Sequence, residues 1–403
     1  MAYQEVKTTG YGTRVGRSFR SIGSGFLLFC AATVLLWWNE GRAVKTDKML
    51  DEVEGAYVEM ENPNKKDASL DGELVCASAL ATTEDSLSDR QYGIGAVAIS
   101  LQRHVEYYQW VEHSDEEKED KLGGKEVTTT TYTYSQEWTN SPVNSAKFHD
   151  PAYQQKNFVL TTVEPEEQWA ENVTFGAYTL NETLIHSISS KEPMELSFDS
   201  VQIAAMNEAL CQQGNLADSL EYVHVGDGEI YYGLSSSDPS VGDVRVTFEK
   251  IVPAKVTIVA QVHGDTFKAY KAKNGKRFQR LVMGKVDADE IFEGEHSTNS
   301  MWLWGLRILG VILVIAGLKG LFGFVETILK VVPFISSIFG WGVSIVCTVV
   351  GLVWSLLVIA LAWLFYRPLI GITLLVLAGF LIWVFAFKGK DKLKELAARA
   401  KAK

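Results

Sequence analysis

Two hydrophobic rhythms divide this chain. Four long apolar runs, at 22–38, 301–325, 335–364 and 369–387, carry few or no charges, while the stretch between the first and second alternates apolar with polar positions. The runs predict four membrane-spanning helices, because roughly 17–25 apolar residues carry a helix across a bilayer. The first run ends in Leu35, Leu36, Trp37 and Trp38. Signal cleavage needs small residues there, so the run reads as an uncleaved anchor. Arg307 and Lys319 interrupt the second; Arg307 falls about one and a half turns in, where a long side chain can snorkel outward. The third run exceeds one perpendicular span and predicts a strong tilt, or an interfacial start with a bend near Pro333, Gly340 and Gly342. Only Tyr366, Arg367 and Pro368 separate it from the fourth, which predicts a tight hairpin with Pro368 in the first turn of the new helix.

Between the runs, strand signals dominate. Ile99, Leu101, Val105, Tyr107 and Val111 alternate with mostly polar neighbours, and 128–138 is rich in strand formers. The acidic segment 114–124 ends in two glycines and predicts the loop of a long hairpin. Val244, Val246 and Phe248 alternate again, and Val256, Ile258, Ala260 and Val262 continue after Val252-Pro253. Tyr222 to Tyr232 reads as a hairpin turning at Gly226-Asp227-Gly228. Asp199 or Ser200 caps a predicted helix ending at Gly214, and 166–171 is a second short helix candidate. The fold class expected is a membrane protein of α+β type, with one helix before and three after a β-rich, barrel-like or sandwich domain at 39–300.

Charge gives this plan an orientation. Residues 43–297 hold 44 acids and 22 bases, whereas the rest of the chain holds 5 and 16. The acidic middle excludes nucleic acid as a partner, since phosphates would be repelled; the flanking bases suit membrane lipid. The tail 388–403 carries seven bases against two acids, and Lys7, Arg14, Arg17 and Arg20 precede the first run. The positive-inside rule therefore predicts both termini cytosolic, as an arm at 1–21 and a tail, with the large domain extracytoplasmic. That side is the periplasm for a bacterial inner-membrane protein, or the lumen for a eukaryotic endomembrane one. Arg20, Trp37, Trp38, Trp302, Trp304, Arg307, Trp363 and Arg367 are the expected interface anchors.

Catalytic motifs are missing: the sequence shows no Walker loop, no Gly-x-Ser-x-Gly elbow and no paired Cys-x-x-Cys. His104 and Glu106 share a strand face, which reads as a solvated surface and not a metal site. No enzyme activity, cofactor or metal is expected. Cys76 and Cys211 could form a disulfide in an oxidising compartment, against the plainer reading of two buried thiols. Asn172-Val-Thr and Asn181-Glu-Thr are glycosylation sequons if the domain is lumenal. Gly310, Gly317, Gly320, Gly323, Gly340, Gly342 and Gly351 offer flat faces for helix packing, within or between chains.

Six strings carry a resemblance: NEGRAVKT (39–46), RHVEYYQWVE (103–112), YTYSQEW (132–138), VGDVRVTF (241–248), NSMWLWGLR (299–307) and WLFYRPL (363–369). In this order, with one span before and three after, the chain resembles the transmembrane protein 43 (LUMA) family over roughly residues 39 to 371. The resemblance implies a four-span, non-enzymatic protein with a lumenal central domain. It also implies self-association into a homo-oligomer, placement at the endoplasmic reticulum and inner nuclear membrane in animals, and emerin and lamin partners for nuclear-envelope members. The arm and the tail after Phe387 depart from the animal pattern. A membrane scaffold or organiser is the expected function. The alternatives are a channel or channel-modulating subunit and a membrane-stress sensor or adaptor acting through the outer domain.

Overall fold

The computed structural model describes residues 3–214, 216, 217, 219–329, 333–369, 371–373 and 376. It divides into two compact units. One comprises residues 1–7, 52–119 and 127–293; the other comprises 8–51, 120–126 and 294–403.

The first unit is β-rich. Its principal strands are β1 (Tyr3–Thr9), β2 (Leu74–Thr83), β3 (Ser100–Asp120), β4 (Glu126–Thr139), β5 (Val223–Gly226), β6 (Glu229–Tyr232), β7 (Val244–Ile251), β8 (Ala254–His263) and β9 (Arg280–Met283). An eight-stranded sheet runs β1-β4-β3-β7-β6-β5, with Glu166–Trp169 added to β3 and Lys191–Pro193 to β7. Strand β8 belongs to a second sheet of seven strands, where it pairs with β9, with β2 and with Thr266–Lys268. Pairings in that sheet close a circuit from β8 through Thr266–Lys268, Tyr178–Thr179, Val173–Phe175 and β2 back to β8. Each sheet has its own core. Val75, Phe175, Tyr178, Ile258 and Phe267 fill the second; Val105, Ile230, Val246 and Phe248 fill the first, where the helix Ser200–Gly214 adds Leu210.

Periodicity explains what was anticipated. The 222–232 hairpin forms as expected, its turn made by Asp227 and Gly228 at φ 51° and 77°, the left-handed pair that a two-residue hairpin turn requires. Asp199 Oδ1 accepts the Gln202 amide at 2.7 Å and opens the Ser200–Gly214 helix. Other segments differ. The acidic stretch 114–120 is strand, not loop, because the turn itself sits at 121–125, where Lys121 N donates to Lys125 O at 2.8 Å. Residues 166–169 are strand and not helix; a helix of the expected 166–171 would gain few internal hydrogen bonds, whereas 166–169 pair antiparallel with 100–103 of β3. Within the stretch expected as an arm at 1–21, residues 3–9 form β1, which pairs with β4, and a long helix begins at Tyr11.

Cys76 and Cys211 are free and buried, the first on β2 and the second on the Ser200–Gly214 helix. Burial, reinforced by Glu59 and Asp287, pushes the Cys76 thiol up to about 11, so it is no ready thiolate for exchange.

In the second unit the helices outrun their apolar runs. We number the three long ones in chain order: α1 (Tyr11–Glu54), α2 (Ala288–Leu329) and α3 (Pro333–Tyr366). All three contain stretches long and apolar enough to cross a membrane. Residues 39–54, anticipated as the start of the β-rich domain, are the last turns of α1; Ala43, Val44, Leu50 and Val53 are buried at helical spacing. Helix α3 is continuous over its 34 residues. Of the fourth run, only Leu369, 371–373 and 376 fall within the described residues.

Candidate functional site: a buried polar clamp joining three helices

Helix α2 turns one stripe toward α1, made of Asn299, Leu303, Arg307, Gly310, Val314 and Gly317 at intervals of three and four. Its lower part is all close approach. A Cβ built on Gly317 would lie 2.7 Å from Phe29 N, one on Gly320 3.0 Å from Gly25 Cα, and one on Gly310 2.5 Å from Leu36 Cδ2. At Gly317 and Gly320 backbone meets backbone and nothing can move aside, whereas Gly310 meets the end of the Leu36 side chain. Gly351 of α3 similarly faces Ile315. Four of the seven predicted packing glycines therefore pack helices within this chain. At Gly323 and Gly342 a Cβ would meet nothing within 4 Å, and the packing of Gly340 lies outside the described residues. Gly25, which the sequence reading missed, completes the α1 side. We expect Gly317→Ala to lower stability by about 1–3 kcal/mol through overpacking, with Gly342→Ala near neutral. Thermal unfolding of the detergent-extracted protein, followed by tryptophan fluorescence, measures both.

The upper part of the same stripe is polar. Glu40 of α1 has a side-chain exposure of 2%, and Arg307 of α2 of 9%. The pair is bidentate: Arg307 Nε donates to Glu40 Oε1 at 2.6 Å and Nη2 to Oε2 at 2.8 Å. Trp363 of α3 donates Nε1–H to Glu40 Oε2 at 2.9 Å. The Trp304 and Trp363 rings lie 4.7 and 5.5 Å from the guanidinium carbon, which adds cation–π attraction. Arg307 thus does not snorkel. Placed on the inward stripe with a carboxylate opposite, it is held where desolvation would otherwise make a lone charge costly.

A second layer continues beyond it. Asn39 Nδ2 donates to Leu303 O at 2.9 Å, while Arg42 Nη1 donates to Asn299 Oδ1 at 3.0 Å. Asn299 Nδ2 in turn donates to Asp47 Oδ1 at 2.6 Å and to Ala43 O at 3.1 Å. Arg367, just past α3, donates Nη2–H to Asp47 Oδ2 at 2.6 Å. Hydrogen bonds tie α1 to α2 and to the end of α3, while α2 and α3 meet through the contact of Arg307 with the Trp363 ring.

The predicted anchors separate into two kinds. Trp38, Trp302 and Trp304 expose more than half of their surface, as interface belts do, and Arg20 is exposed. Trp363, Arg307 and Arg367 turn into the clamp, and Trp37 packs on Phe365 and Tyr366 at 5.7 and 5.9 Å. Glu40, Asn39, Asp47 and Asn299 were not anticipated; their signal was position on the stripe, eight residues from Arg307 for Asn299 on α2 and three or four from Ala43 for the others on α1. At the far end of α1, Arg14 pairs with Asp120 at 2.6 Å and Glu126 at 3.3 Å and donates to Gly124 O. In the β-rich unit, His104 and Glu106 find separate partners, Glu249 and Arg245, and make no joint site.

A β-rich unit and long apolar helices locked by an internal polar clamp define an integral membrane protein of mixed α and β structure. The chain belongs to the transmembrane protein 43 family, whose sequence model matches residues 107–368. It is 31% identical to transmembrane protein 43 of Rattus norvegicus over 91% of this chain and 90% of the relative. Identity to that of Homo sapiens is 30%, with the same coverage. The Drosophila melanogaster homolog is 27% identical over 88% of this chain and 91% of its own length. No solved structure matches. All the clamp residues except Asp47 fall in three of the strings that carried the resemblance, 39–46, 299–307 and 363–369.

Proposed function

We propose that the protein is a non-enzymatic membrane scaffold that self-associates, with the β-rich unit extracytoplasmic and the basic tail cytosolic. The observation behind this reading is the clamp: Glu40 and Arg307, almost fully buried, are bonded to each other, and Glu40 also to Trp363, which joins three helices. A hydrated pore would need such groups on an open helix face. Association would use helix faces that remain exposed, such as the one bearing Gly342, together with the exposed tryptophans at the lipid boundary. The acidity of the β-rich unit and the basic tail support the sidedness. A cytosolic N-terminus would require β1 to leave β4, because hydrocarbon admits strands only in closed barrels. The test is the mass of the detergent-extracted particle by light scattering. A multiple of 44.7 kDa is expected, retained on dilution; a stable monomer in mild detergent would refute self-association, and ion flux from reconstituted vesicles would refute the scaffold reading.

A further inference from the structure

The two sequons of the β-rich unit differ in a way their sequences do not show. Asn181 caps the short helix Glu182–Ile185: its Oδ1 accepts the Leu184 amide at 3.0 Å. Both hydrogens of its amide are also committed, to Phe267 O at 2.8 Å and to Gln279 Oε1 at 3.0 Å. A glycan on that nitrogen would remove one hydrogen and break one of these bonds at a half-buried position. Asn172 is exposed, directly before the strand Val173–Phe175. Among the described residues its side-chain amide donates to the Asp85 carboxylate alone, at 3.2 and 3.4 Å. The single N–H left after glycosylation still serves that acceptor. Its main-chain N–H also donates to Asp85 Oδ2 at 2.8 Å, which holds the loop without help from the side chain.

We propose that Asn172 is an N-glycosylation site of the folded protein and that Asn181 is not, which rests on the β-rich unit being lumenal in a eukaryotic host. The donor is a lipid-linked oligosaccharide pyrophosphate. The Asn172 amide nitrogen forms a bond to the anomeric carbon, the anomeric C–O bond to the pyrophosphate breaks, the amide loses one proton and the lipid pyrophosphate leaves.

The experiment expresses the full chain in animal cells and isolates the monodisperse, detergent-extracted fraction. That fraction is treated with an endoglycosidase that removes N-linked glycans. One glycan per chain is expected. Asn172→Gln and Thr174→Ala each abolish it, the second with the asparagine intact, while Asn181→Gln leaves it in place. A control on the exposed turn at 273–276 separates the two ways of failing, since Lys276→Thr completes a sequon at Asn274. If Asn172→Gln with Lys276→Thr is glycosylated but the wild type is not, the Asn172 assignment is wrong and the lumenal reading stands. If neither carries a glycan, both are wrong. Two glycans per chain in the folded fraction, or one that survives Asn172→Gln, also overturn the assignment.

Discussion

Arg307→Leu is expected to destabilise the helical unit by about 3–5 kcal/mol, the loss typical when one partner of a buried ion pair is removed. The substitution keeps an apolar side chain on α2 but leaves the Glu40 carboxylate, 2% exposed, with Trp363 Nε1–H as its remaining hydrogen-bond donor among the described residues. Glu40→Leu should cost a similar amount, because it strands the guanidinium. The double substitution should recover most of either loss, since no buried charge then remains and two leucines fill much of the space. Arg307→Lys tests geometry separately. A lysine retains the charge but cannot make the two parallel bonds to Oε1 and Oε2, so an intermediate loss is expected. The readout is thermal unfolding of all four variants in one detergent, assembled as a double-mutant cycle. Additive single effects, with no recovery in the double variant, would show that the two charges do not interact and that the clamp is no clamp.

How far the sequence foretold these features depends on the kind of signal each one sends. Elements with a strict period and a capping or turn residue were legible: Asp199 before its helix, Asp227-Gly228 in their hairpin, and the alternation of Val244, Val246 and Phe248. Elements fixed by distant partners were not. Residues 166–169 carry no strand period of their own and become a strand by pairing with 100–103. Residues 39–54 look polar in linear order, and only their buried stripe marks them as helix. Arg307 misled for the same reason. Distance from the end of an apolar run measures depth, whereas the fate of a charge depends on which helix face it occupies and what stands opposite. Its spacing from Gly310, Val314 and Gly317 pointed inward throughout. The partner, Glu40, lies 267 residues away in sequence, and a single chain offers no local rule that links them. Of the glycines read as packing faces, Gly310, Gly317, Gly320 and Gly351 lie against other helices of this chain, and whether a contact is internal or between copies is a matter of tertiary placement.

The β-rich unit has its own buried ion pair, and Asp89→Ala is expected to cost it about 3–5 kcal/mol. Arg103 of β3 and Asp89 have side-chain exposures of 5% and 2%, and Arg103 Nη1 donates to Asp89 Oδ2 at 2.5 Å. The guanidinium further donates through Nε to Glu164 O at 2.9 Å, reaches Glu166 at 3.2 Å and lies 5.6 Å from the centre of the Tyr92 ring. Asp89 does a second task with its other oxygen: Oδ1 accepts the amides of Gln91 at 2.9 Å and Tyr92 at 3.0 Å, which shapes the turn between Ser86–Asp89 and Ile94–Val97. The two tasks can be separated. Asp89→Asn retains an oxygen for the turn and removes the charge, so its loss should be smaller, about 1.5–3 kcal/mol, the range for a hydrogen bond to a charged group. Asp89→Ala removes both. Hydrogen exchange of the amides at 86–97 reports the turn directly, while thermal unfolding reports the unit. In Asp89→Ala the turn amides should exchange faster and the melting temperature should fall; in Asp89→Asn the fall should come with the turn largely protected. Equal acceleration in both variants would mean that the charge pair, and not the Oδ1 contacts, holds the turn. No loss of stability in either would mean that Glu166 and the Glu164 carbonyl satisfy Arg103, and that the pair with Asp89 is dispensable to the β-rich unit.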